Sequence, residues 1–181
     1  MGRIILVTGG ARSGKSSWAE RRAVELAGER VTYVATAEAG DEEMRARILR
    51  HQMERPAAWT TLELPRRAGA GVRAAATPVV LVDCLTLLAS NALLAAEPGG
   101  ETAAVAAVMA EATELRDAAL ARQGTTLVVT NEVGMGVHPP TALGRWYRDA
   151  LGRANALLAA AADEVVLMVS GIPVRIKPAP G

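Results

Sequence analysis

The most chemically loaded stretch of this chain is Gly9-Gly10-Ala11-Arg12-Ser13-Gly14-Lys15-Ser16, which satisfies the spacing G-x-x-x-x-G-K-[ST] of a phosphate-binding loop. Glycines let backbone N–H groups turn inward around an anion. A helix starting at the end of the loop adds the positive end of its dipole. Lys15 offers a mobile cation to the outer phosphates, and the Ser16 hydroxyl can ligate Mg²⁺. Lys15 and Lys177 are the only lysines in a chain with 20 Lys plus Arg, so lysine here points to a compact ammonium rather than a planar fork. Asp83 closes the apolar run Val79-Val80-Leu81-Val82, where nucleoside triphosphatases hold Mg²⁺ directly or through water. Its other reading is a helix N-cap for the segment from Cys84. Beside a phosphate loop we favour the metal role.

His51 shares a helical face with Met44 and Ile48, which fits a half-buried, hydrogen-bonded histidine. Arg47, Arg50 and Arg55 lie within a turn of it. Such a cluster suits a triphosphate and opposes imidazolium formation, which would leave a nucleophilic neutral nitrogen; the helix C-terminus pushes the other way. The arginines also read as a solvated helix face. Glu63 is a candidate to read guanine, since a carboxylate accepts from two adjacent base N–H groups; its alternative is a solvent-facing strand carboxylate. Glu132 either orients substrate or bonds loop amides. His138, beside Pro139 and Pro140, reads as a loop residue, and Cys84 as a small buried hydrophobe rather than a nucleophile.

These residues need a scaffold, and the pattern supplies one. Short apolar runs alternate with amphipathic stretches, the mark of an α/β fold with a parallel sheet. Strands are expected at 4–7, 31–36, 60–64, 79–83 and 125–130. Helices are expected at 18–26, 41–52, 85–95, 102–122 and 143–161. Residues 97–100 read as a loop, and 165–170 with 174–177 as a terminal hairpin turning at Gly171-Ile172-Pro173. Asn131-Glu132-Val133-Gly134-Met135-Gly136 falls at a strand's C-terminal end, where open α/β sheets place ligands.

Composition narrows the classes. A chain of 181 residues with 50% hydrophobic residues reads as one domain, 1–181, with an aliphatic core, since Phe is absent. A net charge of +1 gives no general pull toward nucleic acid. Cys84 is the sole cysteine, which fits a reducing cytoplasm. No leader pattern or apolar run of membrane-spanning length is visible, so a soluble cytoplasmic protein without a membrane span is expected. Two histidines and one cysteine do not make a structural zinc site.

At this level of detail the chain resembles the bifunctional adenosylcobinamide kinase / adenosylcobinamide-phosphate guanylyltransferase family of cobalamin biosynthesis. The likeness runs through the phosphate loop, Tyr33-Val34-Ala35-Thr36-Ala37, Glu43-Met44, Arg47-Ile48, His51, Arg55-Pro56 and Trp59. It continues through Thr130 to Gly136, Ala160 to Val165 and Ser170-Gly171-Ile172. The resemblance implies a RecA-type P-loop NTPase fold assembled as a homotrimer, using Mg²⁺ with GTP and ATP. It implies phosphorylation of the aminopropanol hydroxyl of adenosylcobinamide. Transfer of GMP from GTP to the resulting phosphate follows, through a guanylyl-histidine, for which the matching residue is His51. It also implies a GTP site lined by Gly9 to Ser16, Ala35, Thr36, Ala37, Gln52, Met53, Glu54, Arg55, Glu63 and Asp83. Arg50 stands where some members carry a second histidine, and Asp83 where a glutamate is common. A phosphate-loop kinase or triphosphatase without guanylyl transfer is the competing enzyme reading, and a non-catalytic nucleotide switch the competing reading of another class.

Overall fold

The computed structural model describes residues 2–38, 40, 42, 45, 46, 49, 52, 53 and 55–178. The chain runs β1 (Arg3–Gly9), α1 (Lys15–Ala27), β2 (Val31–Ala35), β3 (Thr60–Glu63), α2 (Ala68–Ala74), β4 (Val79–Asp83) and α3 (Leu85–Ala96). It continues through α4 (Gly100–Ala121), β5 (Thr125–Val129), α5 (Ala142–Ala161), β6 (Glu164–Val169) and β7 (Ile172–Lys177). The strands form one seven-stranded sheet in the order β3-β2-β4-β5-β1-β6-β7. All neighbours are parallel except β7, which pairs antiparallel with β6. This is the mostly parallel sheet with a terminal hairpin that the sequence pattern predicts.

Why the central strands read as unbroken apolar runs is clear from the layering. Both faces of the sheet are covered, so both alternating sets of side chains are buried. Ile4, Leu6, Val34, Val80, Val82 and Val128 face a core completed by α2, α3, α4 and α5. Ile5, Val7, Tyr33, Leu81, Leu127 and Val129 face the other way, against Ala19 and Ala23 of α1 and Trp59. Alanine dominates the helix faces because small residues let helices approach the sheet closely. Lys177 donates to the carbonyls of Ala159 and Ala160 at 3.2 and 3.1 Å, closing the C-terminal end of α5.

Local differences from the sequence reading have local causes. The helix after the phosphate loop starts at Lys15, not at Trp18. The stretch expected as a loop at 97–100 is a 3₁₀ turn, Glu97–Gly99, running directly into α4. The terminal hairpin turns one step earlier than expected. Ser170 and Gly171 both have positive φ, 50° and 83°, the demand of a two-residue turn that matches strand twist. Pro173 therefore sits inside β7, which is tolerable because β7 is an edge strand. Helix α2 has no counterpart in the sequence reading. Of the expected helix 41–52, residues 42, 45, 46, 49 and 52 are helical, and the rest lie outside the described residues.

Candidate nucleotide site

Strand β1 delivers the phosphate loop to the C-terminal edge of the sheet. Gly14, at φ 89°, is the N-cap of α1, so Lys15 and Ser16 stand in the first turn of that helix. Lys15 is 8% exposed and lies over the loop, its ammonium donating to the Gly10 carbonyl at 2.6 Å. The Gly171 N–H donates to the Ser13 carbonyl at 3.1 Å, so the β6–β7 turn braces the loop from outside.

Across the loop opens a cavity of about 600 Å³. Ala11, Arg12, Ser13, Gly14, Lys15 and Ser16 form one wall, and Ala35, Ala37, Arg55, Glu63 and Asp83 stand on others. Eleven candidate positions widely separated in sequence thus converge on one space. Asp83 and Ser16 share it, the pairing a metal role requires. Glu63, at the end of β3, also lines an adjoining recess of about 310 Å³ with Gln52, Arg55 and Trp59. Gln52 donates to Glu63 Oε1 at 2.9 Å. Gly9 and Gly10 belong to the loop but do not line the cavity.

Two candidates are placed differently. Thr36 is fully buried, and its hydroxyl bridges the Cys84 backbone, donating to the carbonyl and accepting from the N–H, both at 2.7 Å. Its side chain therefore ties β2 to the end of β4 rather than facing the cavity. Met53 is 86% exposed and does not line either cavity. His51, Glu54, Arg47 and Arg50 lie outside the described residues.

The structure adds Tyr33, to which the sequence reading gave no site role, and places Asn131 of the expected strand-end loop on the cavity wall. Tyr33 reaches the cavity from β2, and its hydroxyl donates to Asp83 Oδ2 at 2.7 Å. Burial, and then the Asp83 carboxylate, push its phenol far above the usual range, so it remains a donor. The Arg55 guanidinium lies 3.6 Å from the centre of the Tyr33 ring. Asn131 lines the cavity from the end of β5. Its backbone is fixed by Thr86 Oγ1, which accepts from its N–H at 2.8 Å, and by Asn155 Nδ2, which donates to its carbonyl at 3.0 Å. The position of Asn131 at a strand's C-terminal end was the available signal. Glu132 uses Oε1 to accept from the Gly134 N–H at 2.8 Å, the loop-bonding alternative. His138 is exposed, with Nδ1 2.7 Å from Arg148. Burial, followed by Asp83, pushes the Cys84 thiol up to about 11, which keeps it a thiol at neutral pH.

The strand order and the phosphate loop define a phosphate-loop NTPase fold, with the candidate nucleotide cavity at the carboxyl edge of the sheet. The fold is shared with the crystal structure of flagellar accessory protein FlaH from Methanocaldococcus jannaschii, at TM-score 0.50 and 15% identity over 98% of this chain and 79% of that one. Residues 5–176 match the family described as cobinamide kinase / cobinamide phosphate guanyltransferase, and the chain belongs to that family. Among its relatives is the bifunctional adenosylcobalamin biosynthesis protein CobU of Salmonella typhimurium, 44% identical across 96% of this chain and 99% of that protein. Another, CobP of Pseudomonas aeruginosa, carries the same description and is 42% identical across 97% and 98%.

Proposed function

We propose that this chain is a bifunctional enzyme of cobalamin biosynthesis that runs both family reactions on the one nucleotide site, with His51 as the nucleophile of the second. In the kinase reaction the aminopropanol oxygen of adenosylcobinamide bonds the γ-phosphorus of ATP or GTP, loses its proton, and the nucleoside diphosphate departs. In the guanylyl reaction a ring nitrogen of His51 bonds the α-phosphorus of GTP and the bond to the β-phosphate oxygen breaks, releasing pyrophosphate. A phosphate oxygen of adenosylcobinamide phosphate then bonds the same phosphorus, the P–N bond breaks, and adenosylcobinamide-GDP forms with His51 restored. Covalent catalysis of this kind divides one difficult exchange into two displacements.

The observation that carries the reading is convergence. The phosphate loop, Asp83, Glu63 and Arg55 line one cavity, and Gln52, the residue after His51, bonds Glu63 at its rim. Lys15 and the first-turn amides of α1 hold the outer phosphates. Glu63 accepts from the guanine edge, and Arg55 meets phosphate oxygens. Ser16 and Asp83 fit Mg²⁺. Among the described residues no group of three or more His, Cys, Asp or Glu is gathered for an ion, and a single carboxylate with a hydroxyl suits a cation that takes its remaining ligands from phosphates and water. When bound, Mg²⁺ neutralises charge developing on the phosphates. Residues 1–181 act as one catalytic domain in the cytoplasm. No described helix is long and apolar enough to cross a membrane. The working assembly is a homotrimer; exposed Ile172, Val174 and Ile176 on β7 offer apolar surface for it.

Intact-protein mass spectrometry after incubation with GTP and Mg²⁺ tests the nucleophile. The parent gains one acid-labile GMP and His51→Ala gains none. Nucleotide-binding parent protein that forms no adduct removes guanylyl transfer through His51 and promotes the plain kinase. Light scattering tests the assembly, with a mass three times the 18.8 kDa chain expected.

A further inference from the structure

Tyr33 joins two groups that the nucleotide site needs but that come from different parts of the chain. It is 2% exposed, and its ring packs beside Trp59 with centroids 6.3 Å apart. Trp59 is anchored in turn by its indole N–H donating to the Gly28 carbonyl at 3.2 Å. At the edge of the Tyr33 ring, the hydroxyl donates to Oδ2 of Asp83, a residue that lines the cavity. Over it lies the Arg55 guanidinium, 3.6 Å from the ring centre. Among the described residues, Nε and Nη1 of Arg55 are buried and have no hydrogen-bond partner. Leaving donors of a cation buried and unpaired is costly, so such atoms mark a place where an anion completes the bonding. Arg55 lines both the main cavity and the adjoining recess.

We propose that Tyr33 is a positioning residue for the polyphosphate, its hydroxyl setting the rotamer of Asp83 and its ring holding Arg55 so that Nε and Nη1 meet phosphate oxygens of the bound nucleoside triphosphate. The inference rests on the nucleotide-site reading above but not on the histidyl step. One rigid aromatic thereby fixes both the carboxylate on the metal side and the arginine on the opposite side of the phosphates. A planar guanidinium suits that second task because stacking leaves its in-plane N–H groups directed outward.

The test is equilibrium binding of a fluorescent GTP and of GMP to the full chain, in EDTA and across a Mg²⁺ titration. Tyr33→Phe keeps the ring and loses the hydroxyl. It should raise the Mg²⁺ concentration for half-maximal tightening of GTP binding at least threefold, and leave the affinity in EDTA within twofold of the parent. Tyr33→Leu loses both supports and should also weaken GTP binding in EDTA at least fivefold, with GMP binding changed less than twofold. Arg55→Gln, which keeps the Tyr33 ring and hydroxyl, should reproduce the GTP-against-GMP split if Tyr33→Leu does not fold. The proposal is overturned if Tyr33→Phe matches the parent throughout, or if Arg55→Gln weakens GTP and GMP alike. A parent that binds GTP yet forms no GMP adduct would remove the histidyl reading and leave these outcomes standing.

Discussion

The three glycines of the phosphate loop differ in why they are glycine, and alanine at each separates the reasons. At Gly10 a Cβ meets nothing within 4 Å, so Gly10→Ala should change stability by no more than about 0.5 kcal/mol. At Gly14 the space is ordinary, 3.5 Å to the Gly171 Cα, but φ is 89°. Holding an L-residue in that region costs about 1–2 kcal/mol. At Gly9 both problems coincide: φ is 149°, and a Cβ would lie 2.5 Å from the Met168 carbonyl oxygen and 2.9 Å from Ser13 Oγ. The obstacle there is backbone of the paired strand, since Gly9 is in register with Met168. Relief requires β1 and β6 to part, and overpacking costs of about 1–3 kcal/mol add to a backbone cost of similar size. For a chain of this length 1 kcal/mol moves Tm by about 2–4 °C. Gly10→Ala should then fall within about 2 °C of the parent, Gly14→Ala about 2–8 °C below it, and Gly9→Ala about 5–20 °C below it. Thermal unfolding followed by circular dichroism on ligand-free protein measures the series. Gly9→Ala melting with the parent, or Gly10→Ala melting below Gly9→Ala, would refute the reasoning.

Thr36→Val removes the two side-chain hydrogen bonds from the end of β2 to the Cys84 backbone while keeping shape, so urea unfolding should show a loss of about 2–4 kcal/mol, and a silent substitution would mean the buried amide finds another partner. With its thiol pushed up to about 11, Cys84 should be alkylated by iodoacetamide at a rate rising about tenfold per pH unit from pH 7 to 10, because thiolate is scarce below the pKa. A plateau below pH 9 in the folded protein would contradict that environment. Glu63→Gln exchanges one acceptor oxygen for a donor amide opposite the guanine edge, and should raise KM for GTP in guanylyl transfer tenfold or more with ATP binding little changed; equal losses for both nucleotides would remove Glu63 from base reading.

How legible the molecule is in its sequence depends on whether a feature is local. The strands ending at Gly9, Asp83 and Val129 are continuous apolar runs because both sheet faces are covered, and runs of that kind survive any reading frame. The phosphate loop is equally local. Helix α2 was invisible because its seven residues, two of them glycine, carry no helical period. It is held from outside: a Cβ on Gly69 would lie 2.8 Å from the Glu114 carbonyl carbon, and the Arg67 N–H donates to both Glu111 carboxylate oxygens at 2.9 Å. Tyr33 looks like an ordinary strand aromatic until β4 brings Asp83 beside its hydroxyl. Thr36 fits a ligand motif by position, yet its hydroxyl is taken by Cys84. Residue type marks what a side chain can bond, and only tertiary pairing says with what.

The brace on the phosphate loop has a consequence for the order in which the protein is made. Ser13 is made 158 residues before its partner amide on Gly171, and the Met168 strand behind Gly9 likewise follows long after the loop. The loop with the most recognisable motif in the chain thus acquires its full set of neighbours only long after it is made. Because the contact spans residues 13 and 171, it cannot form by local folding and must wait for the β6–β7 hairpin to dock. Nascent chains halted before the hairpin would carry an intact motif and an unsupported loop, so tight nucleotide binding would report a chain translated through β6 and β7.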